Sequence, residues 1–382
     1  MRNRIPVFVL ILLAYLGLNA FIGWSGLQYW NVVMPAAPDA LFIFVYALLA
    51  FSYLIAMLAR RAMPYALYKA LKVIGSYGIG LLFYAVLLVP LADLTAWLLI
   101  LTGTDASVAV TVVGSAVLAV MAVLLLVGSW NAWNPIVRRY DIEIAKPGGG
   151  RKELRIAAAS DLHLGTMVGK RHLSRLTERV ASLAPDLILL PGDVLDDSIE
   201  PFVRENMAEV MSGLRAPLGV YAVLGNHEYI GGHIAEYVER MRAIGIDVLL
   251  DRVVELEDGL YVAGRKDHAV ESFTNEGRLT VDALLESSNV DRSKPIILMD
   301  HQPHQLGAAA EAGVDLMLSG HTHRGQMMPN HLITRRLFEL DWGYLRKGVM
   351  HAIVSSGFGS WGPPLRIGSR SELLDIRVTF QG

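Results

Sequence analysis

Two histidines fall within three residues in the stretch VDLMLSGHTHRGQMMP, where only Thr322 separates His321 from His323. Side chains at i and i+2 of an extended segment point to the same side, so both imidazoles can reach one place. Taken alone, the pair has two readings: a metal site, or a polar turn after the apolar run Val314–Leu318. Four other apolar runs end in the same kind of residue. Asp161-Leu162-His163 follows residues 155–160, and Gly192-Asp193 follows 186–191. Gly225-Asn226-His227-Glu228 follows 219–224, and Asp300-His301 follows 295–299. A single Asp or His after a strand is ordinarily a turn or cap residue. Five such endings are a ligand set, because α/β sheets assemble their sites at the carboxyl ends of strands.

The donor types narrow the chemistry. The chain has no cysteine, which removes thiolate sites and disulfides. Imidazole, carboxylate and amide oxygen together suit Mn, Fe or Zn better than calcium or copper(I). Two such ions about 3.5–4 Å apart can clamp a phosphoryl group and supply a hydroxide nucleophile near neutral pH. Two ions need a shared ligand, and Asp193, placed after a glycine that permits close backbone approach, fits as the bridge.

The elements that must hold these residues alternate. Amphipathic helices are expected at 170–183, 201–214 and 233–244, with further strands at 248–250, 259–263 and 351–354. Strands interleaved with helices indicate an α/β domain. The first third of the chain is different. A membrane-spanning helix needs about 20 mostly apolar residues, and 6–24, 41–58, 73–101 and 106–127 qualify. The third is overlong and contains Pro90 and Asp93, so it is expected to tilt, to kink, or to end at the proline and continue along the interface. Asp93 has two readings, an intramembrane functional carboxylate or an interfacial residue, and the interfacial one is preferred.

Lys and Arg sit in alternate loops: Arg2 and Arg4, then Arg60, Arg61, Lys69 and Lys72, then Arg138 and Arg139. By the positive-inside rule that side is cytoplasmic, so the C-terminal domain is expected in the cytoplasm. A net charge of −2 leaves no electrostatic footprint for nucleic acid.

The blocks Asp161-x-His163, Gly192-Asp193, Gly225-Asn226-His227-Glu228, His301 and Gly320-His321-x-His323 resemble, in order, the calcineurin-like metallophosphoesterase superfamily. Asp300-His301-Gln302-Pro303, His323-x-Gly325-Gln326 and Trp361-Gly362-Pro363-Pro364 resemble its membrane-associated bacterial branch. The resemblance implies an α/β metallophosphoesterase domain, a two-layered β-sandwich flanked by helices, over 155–379. It would follow a membrane α-helical domain of four spans (1–134) and a linker with a first strand (135–154). It also implies ligands. Asp161, His163 and His323 would hold one divalent ion, and Asn226, His301 and His321 a second, with Asp193 between them. His227 would then act on the leaving-group oxygen, oriented by Asp196, although the adjacent Asp197 could serve equally. Glu228 would structure the turn.

Protein phosphatases of the superfamily carry Gly-Asp-x-x-Asp-Arg-Gly. Here Ser198 follows Asp196-Asp197, and no arginine stands after the second aspartate. The expected activity is therefore hydrolysis of a phosphoester or pyrophosphate bond of a lipid or nucleotide-lipid at a bacterial inner membrane. The alternatives are a tethered phosphodiesterase of soluble cyclic nucleotides and a non-catalytic metal-binding sensor. Arg324, beside His323, and Arg366, in the glycine- and aromatic-rich stretch 355–366, are candidate substrate contacts, since Arg suits bidentate phosphate binding. Against each stands a plainer reading, a solvated charge for Arg324 and a packed loop for 355–366. His172, His233, His268, His304, His331 and His351 read as ordinary polar residues, and Phe380-Gln381-Gly382 as the remnant of a protease site.

Overall fold

The computed structural model describes residues 5–256 and 259–381. Arg2 and Arg4 lie outside them. The chain divides into two compact units: residues 1–129 with 362–365, and residues 130–361 with 366–382.

Among the described residues, the first unit contains four helices long and apolar enough to cross a membrane. They are α1 (Ile5–Val33), α2 (Asp39–Ala59), α3 (Tyr65–Leu101) and α4 (Ala106–Trp133). Each extends beyond its apolar core, because flanking aromatic and small polar residues continue the helix. Leu10, Phe44, Leu91 and Leu126 are among the many large apolar side chains left exposed, as expected where lipid is the solvent. The α2 and α3 backbones approach closely at Gly75 and Gly78, where an added Cβ would meet the Tyr53 and Leu49 backbones. Small residues at such crossings are the usual device of helix pairs in lipid. Helix α3 runs through Pro90 without ending, which excludes one of the three expected arrangements, an end at the proline. Beyond it, Asp93 Oδ1 accepts a hydrogen bond from Ser25 Oγ of α1 at 2.8 Å.

The second unit is built on two six-stranded sheets. The first has the order β1 (Ile136–Ile144), β12 (Glu372–Phe380), β2 (Glu153–Ala158), β3 (Leu187–Pro191), β4 (Val220–Val223) and β5 (Ile246–Val248). The second runs β10 (Gly343–Lys347), β11 (Met350–Val354), β9 (Leu316–Ser319), β8 (Ile296–Met299), β7 (Tyr261–Gly264) and β6 (Arg252–Glu255). Strands β2 to β5 are mutually parallel, as are β7, β8, β9 and β11. The sequences of β3 and β8, Leu-Ile-Leu-Leu-Pro and Ile-Ile-Leu-Met, are buried at every position. Such continuous runs are typical of parallel strands covered on both faces.

Leu154, Ile156, Leu187 and Leu189 of one sheet meet Val262, Ile297, Leu316 and Leu318 of the other in a single apolar layer. Separate clusters pack helices on each outer face. The result is a two-layered sandwich flanked by helices. The helix expected over 170–183 is present as Lys170–Leu183. The one expected over 201–214 is two short pieces, Ile199–Arg204 and Met207–Met211. The chain turns between them at Asn206, whose φ is +48°. Phe380, at the end of β12, pairs with Ile144 of β1.

Candidate metal centre

Strands β2, β3, β4, β8 and β9 deliver their loops to one place, and the backbone there is unusual. Asp161, His163, Asp193, His321 and His323 all have positive φ, between +46° and +70°. A non-glycine residue in this region costs about 1–2 kcal/mol, and such strain collects where function over-determines the geometry. At β2, β3 and β9 left-handed turns fold the strand exit back sharply, which aims its side chains across the sheet ends. Gly192, at φ +85°, has no alternative, since a Cβ there would strike the His301 ring.

Among the described residues four groups of candidate ligands result, each with ligand atoms within 4.8 Å of one another: Asp161, His163 and His323; Asp193, His301 and His321; His163, Asp193 and His227; and, at the edge of the site, Asp196, Asp197 and His227. Asp193 lies between the first two sets. Its Oδ2 is 3.1 Å from His301 Nε2 and 4.0 Å from His163 Nε2. Asn226 Oδ1 is 2.9 Å from His321 Nδ1. The ring nitrogens of His163 and His323 face each other at 3.0 Å, Nε2 to Nε2. The backbone holds the carboxylates in place: His321 N–H donates to Asp161 Oδ1 and His227 N–H to Asp193 Oδ1, each at 2.9 Å. All seven residues named from the sequence as metal ligands thus converge.

These residues fit divalent ions by their own chemistry. His163 Nδ1 and His301 Nε2 are buried without a hydrogen-bond partner. His301 Nε2 and Asp193 Oδ2 nonetheless meet as an ion pair at 3.1 Å, two candidate ligand atoms side by side. Burial lowers His163 to about 3 and His321 to about 4, and holds His323 well below the usual range. These imidazoles are kept neutral, the state that ligates metals. Burial pushes the Asp193 carboxyl up, but His301, His227 and His163 outweigh it and hold it below the ordinary carboxylate range. His301 answers in the opposite sense: burial lowers it, yet Asp193 raises it well above 6.5. Its other nitrogen, Nδ1, is 2.8 Å from the Pro191 carbonyl, which fixes the ring.

His227 stands beside the ligands at the start of the helix Asn226–Gly231. Its ring packs edge-on against His163 and Trp361. Its Nδ1 is 2.6 Å from Asp197 Oδ1 and 4.0 Å from Asp196 Oδ1. The close contact comes from the second aspartate, because Asp197 takes a left-handed φ of +46° that swings its carboxylate toward the ring. Burial would lower His227, but the Asp197 bond and the Asp193 charge prevail and raise it to about 9. Glu228 accepts from Gly225 N–H at 2.7 Å and Leu195 N–H at 2.8 Å. It caps the helix and ties it to the Asp193 loop. Burial, then the Asp193 charge, raises it to about 8.

The two arginines expected to contact substrate occupy different positions. Arg366 is fully buried and is no part of a surface rim. Its Nη2 donates to the Gly359 carbonyl at 2.6 Å and lies 3.1 Å from His323 Nδ1. The loop 355–360 folds inward over Asp161 and carries the arginine with it; of the stretch 355–366, Trp361 is exposed. Arg324 is half-buried, with its guanidinium 4.0 Å from the Trp342 ring centroid. Sequence reasoning passed over Trp361 as a neighbour of His227; an aromatic in a glycine-rich segment after a strand was its one signal.

Comparison with known proteins agrees with this geometry. The profile of the calcineurin-like phosphoesterases matches residues 154–325. An uncharacterized metallophosphoesterase of Aquifex aeolicus is 34% identical over 249 residues, covering 64% of this chain and 92% of its own. A Danio rerio transmembrane protein with metallophosphoesterase domain is 32% identical over 276 residues, covering 70% of this chain and 62% of its own. An uncharacterized metallophosphoesterase of Helicobacter pylori is 33% identical over 229 residues, covering 59% and 60%. The chain thus spans less than two thirds of the Danio and Helicobacter proteins and nearly all of the Aquifex one. Five strand ends that pool His, Asp and Asn, in a chain that covers almost the full length of the Aquifex relative at 34% identity, make it a member of the calcineurin-like phosphoesterases, hydrolases of phosphoester bonds.

Proposed function

We propose that the protein hydrolyses a phosphoester or pyrophosphate bond of a lipid or nucleotide-lipid at the surface of a bacterial inner membrane, with the catalytic unit on the cytoplasmic side. The observation that carries the reading is Asp193, placed between two ligand clusters with the protonatable His227 beside both. Asp161, His163 and His323 would hold one ion, and Asn226, His301 and His321 the other, with Mn, Fe or Zn as the metals. When bound, such ions polarise the phosphoryl oxygens and lower the pKa of the attacking water.

The chain's own residues do the rest. His227, kept protonated by Asp197, donates its proton to the leaving oxygen. Neutral His163, His321 and His323 keep their lone pairs for ligation, and the left-handed turns hold them in position before substrate arrives. Four apolar helices place the chain where lipid head groups are abundant, which favours a lipid over a soluble nucleotide.

The test is a hydrolysis screen of the full-length protein, reconstituted with each candidate metal, against phospholipids, lipid pyrophosphates and cyclic nucleotides. Asp193→Asn serves as the control. Turnover confined to the lipids supports the reading. Turnover of cyclic nucleotides alone would replace it with a tethered phosphodiesterase.

A further inference from the structure

The segment that leaves the metal centre through His323 enters a short helix, His331–Leu337, that has no buried residue. Leu332, Ile333 and Leu337 are 60%, 59% and 68% exposed, and Met328 just before them is 42% exposed. Ile333 and Leu337, four residues apart, share a face, and Leu332 flanks it. Contiguous exposed apolar residues of this kind mark an interaction surface. Arg335 and Arg336 occupy the last turn, and the helix carries no acidic residue.

This surface is joined to the site. Phe338, the residue after the helix, packs its ring 4.9 Å from His304 and 6.0 Å from the candidate ligand His321. The Gln326 side chain bonds the Trp361 backbone in both directions, and the exposed Trp361 ring lies against His227. Apolar side chains beside basic ones, on a helix too short to span, describe an element that lies in a lipid interface. Long basic side chains can then reach the head groups while their stems stay apolar.

We propose that the His331–Leu337 helix, with Met328, inserts into the head-group layer of an anionic bilayer and so presents the metal centre to lipid. The occupant follows from charge and from the rest of the chain. Two arginines without an acidic neighbour on the helix complement anionic head groups, and a chain with four spanning-length helices keeps its second unit near a bilayer. The proposal deepens the lipid reading above and rests on it, but its test reads depth rather than turnover, so the two can fail separately.

Because the chain has no cysteine, single labels can be placed cleanly. Full-length protein carrying Ile333→Cys, Leu337→Cys, Leu91→Cys or Glu286→Cys is labelled with an environment-sensitive fluorophore. It is then reconstituted in phosphatidylglycerol vesicles whose acyl chains bear a nitroxide quencher. Quenching is expected at positions 333 and 337 and in α3 at position 91, and none at 286. Adding Arg335→Glu and Arg336→Glu should reduce quenching at 333 in these vesicles and leave it unchanged in phosphatidylcholine.

A label at 333 as unquenched as that at 286, with 91 quenched, overturns the proposal. So does a label at 333 that is shielded from solvent yet unquenched, which would mean that a protein partner covers the helix. An unquenched label at 91 would remove the membrane reading and this proposal with it.

Discussion

His227 and Asp197 meet at 2.6 Å, Nδ1 to Oδ1, while Asp196 stands at 4.0 Å from the same nitrogen. The contact sets the protonation state of the group best placed to act as an acid. A histidine with an ordinary value near 6.5 would be mostly neutral above pH 7; this one is raised to about 9. The protonated form does the work, so the Asp197 bond should extend activity above pH 7, with the alkaline limb falling as His227 loses its proton. His227→Ala should lower kcat by about 10²–10⁴-fold, the usual contribution of a general acid. Asp197→Asn should shift the alkaline limb of the kcat/KM profile toward 6.5, and Asp196→Asn should shift it less. A profile that moves only in the Asp196 variant would reverse the assignment.

Asp193 offers a sharper test, since it lies within reach of ligands from both clusters. Asp193→Asn keeps the shape and removes the charge. Metal analysis of the purified variant should show the metal content of the wild type largely lost, with activity falling below detection. Full metal content in an inactive variant would separate binding from chemistry and remove Asp193 as a shared ligand.

Arg366 acts on the site from behind. It is buried, and its guanidinium joins Gly359, Ser360, Ser369 and His323. Burial lowers it to about 10, still far above neutrality, so it remains charged. Removing a group that orients a metal ligand typically costs 10–100-fold in metal affinity or activity. Arg366→Lys, which keeps charge but loses the fork, should weaken metal retention in a chelator titration. If the residue contacted substrate instead, KM would rise with metal affinity unchanged.

What the sequence disclosed, and what it withheld, follows from locality. The candidate ligands were legible because each sits within a few residues of its own apolar strand, so a short window contains both the strand and the group it delivers. The buried strands β3, β8 and β9 were legible for the same reason, being apolar throughout. The place of β12 between β1 and β2 was not, because it depends on pairing Ile136 with Glu372 and Leu154 with Val378, partners more than two hundred residues apart. Of the two readings of Arg366, the sequence could not choose the packed loop for a related reason. Its burial is decided by a loop that returns over Asp161, with Gly357 at φ +87° allowing the approach, and nothing local announces that. The His331–Leu337 helix escaped notice because it is seven residues long, too short for the pair Ile333 and Leu337 to establish a helical period.

A last prediction concerns stability away from the metal centre. His172 is 3% exposed, with its ring against Trp133 and Phe358 and Nε2 at 3.0 Å from the Phe358 carbonyl. Burial lowers it to about 4, although that carbonyl opposes the shift. The folded protein therefore keeps this imidazole neutral, while the unfolded chain takes up a proton below about 6.5. Stability from this site is complete above 6.5 and is lost as pH falls toward 4, by up to about 3 kcal/mol at 1.36 kcal/mol per unit. His172→Phe keeps an aromatic ring in the gap and removes the titration. Thermal unfolding of the full-length protein in detergent should give a Tm that declines less between pH 7 and 4.5 in the variant than in the wild type. Parallel declines would mean that other buried histidines govern the acid limb.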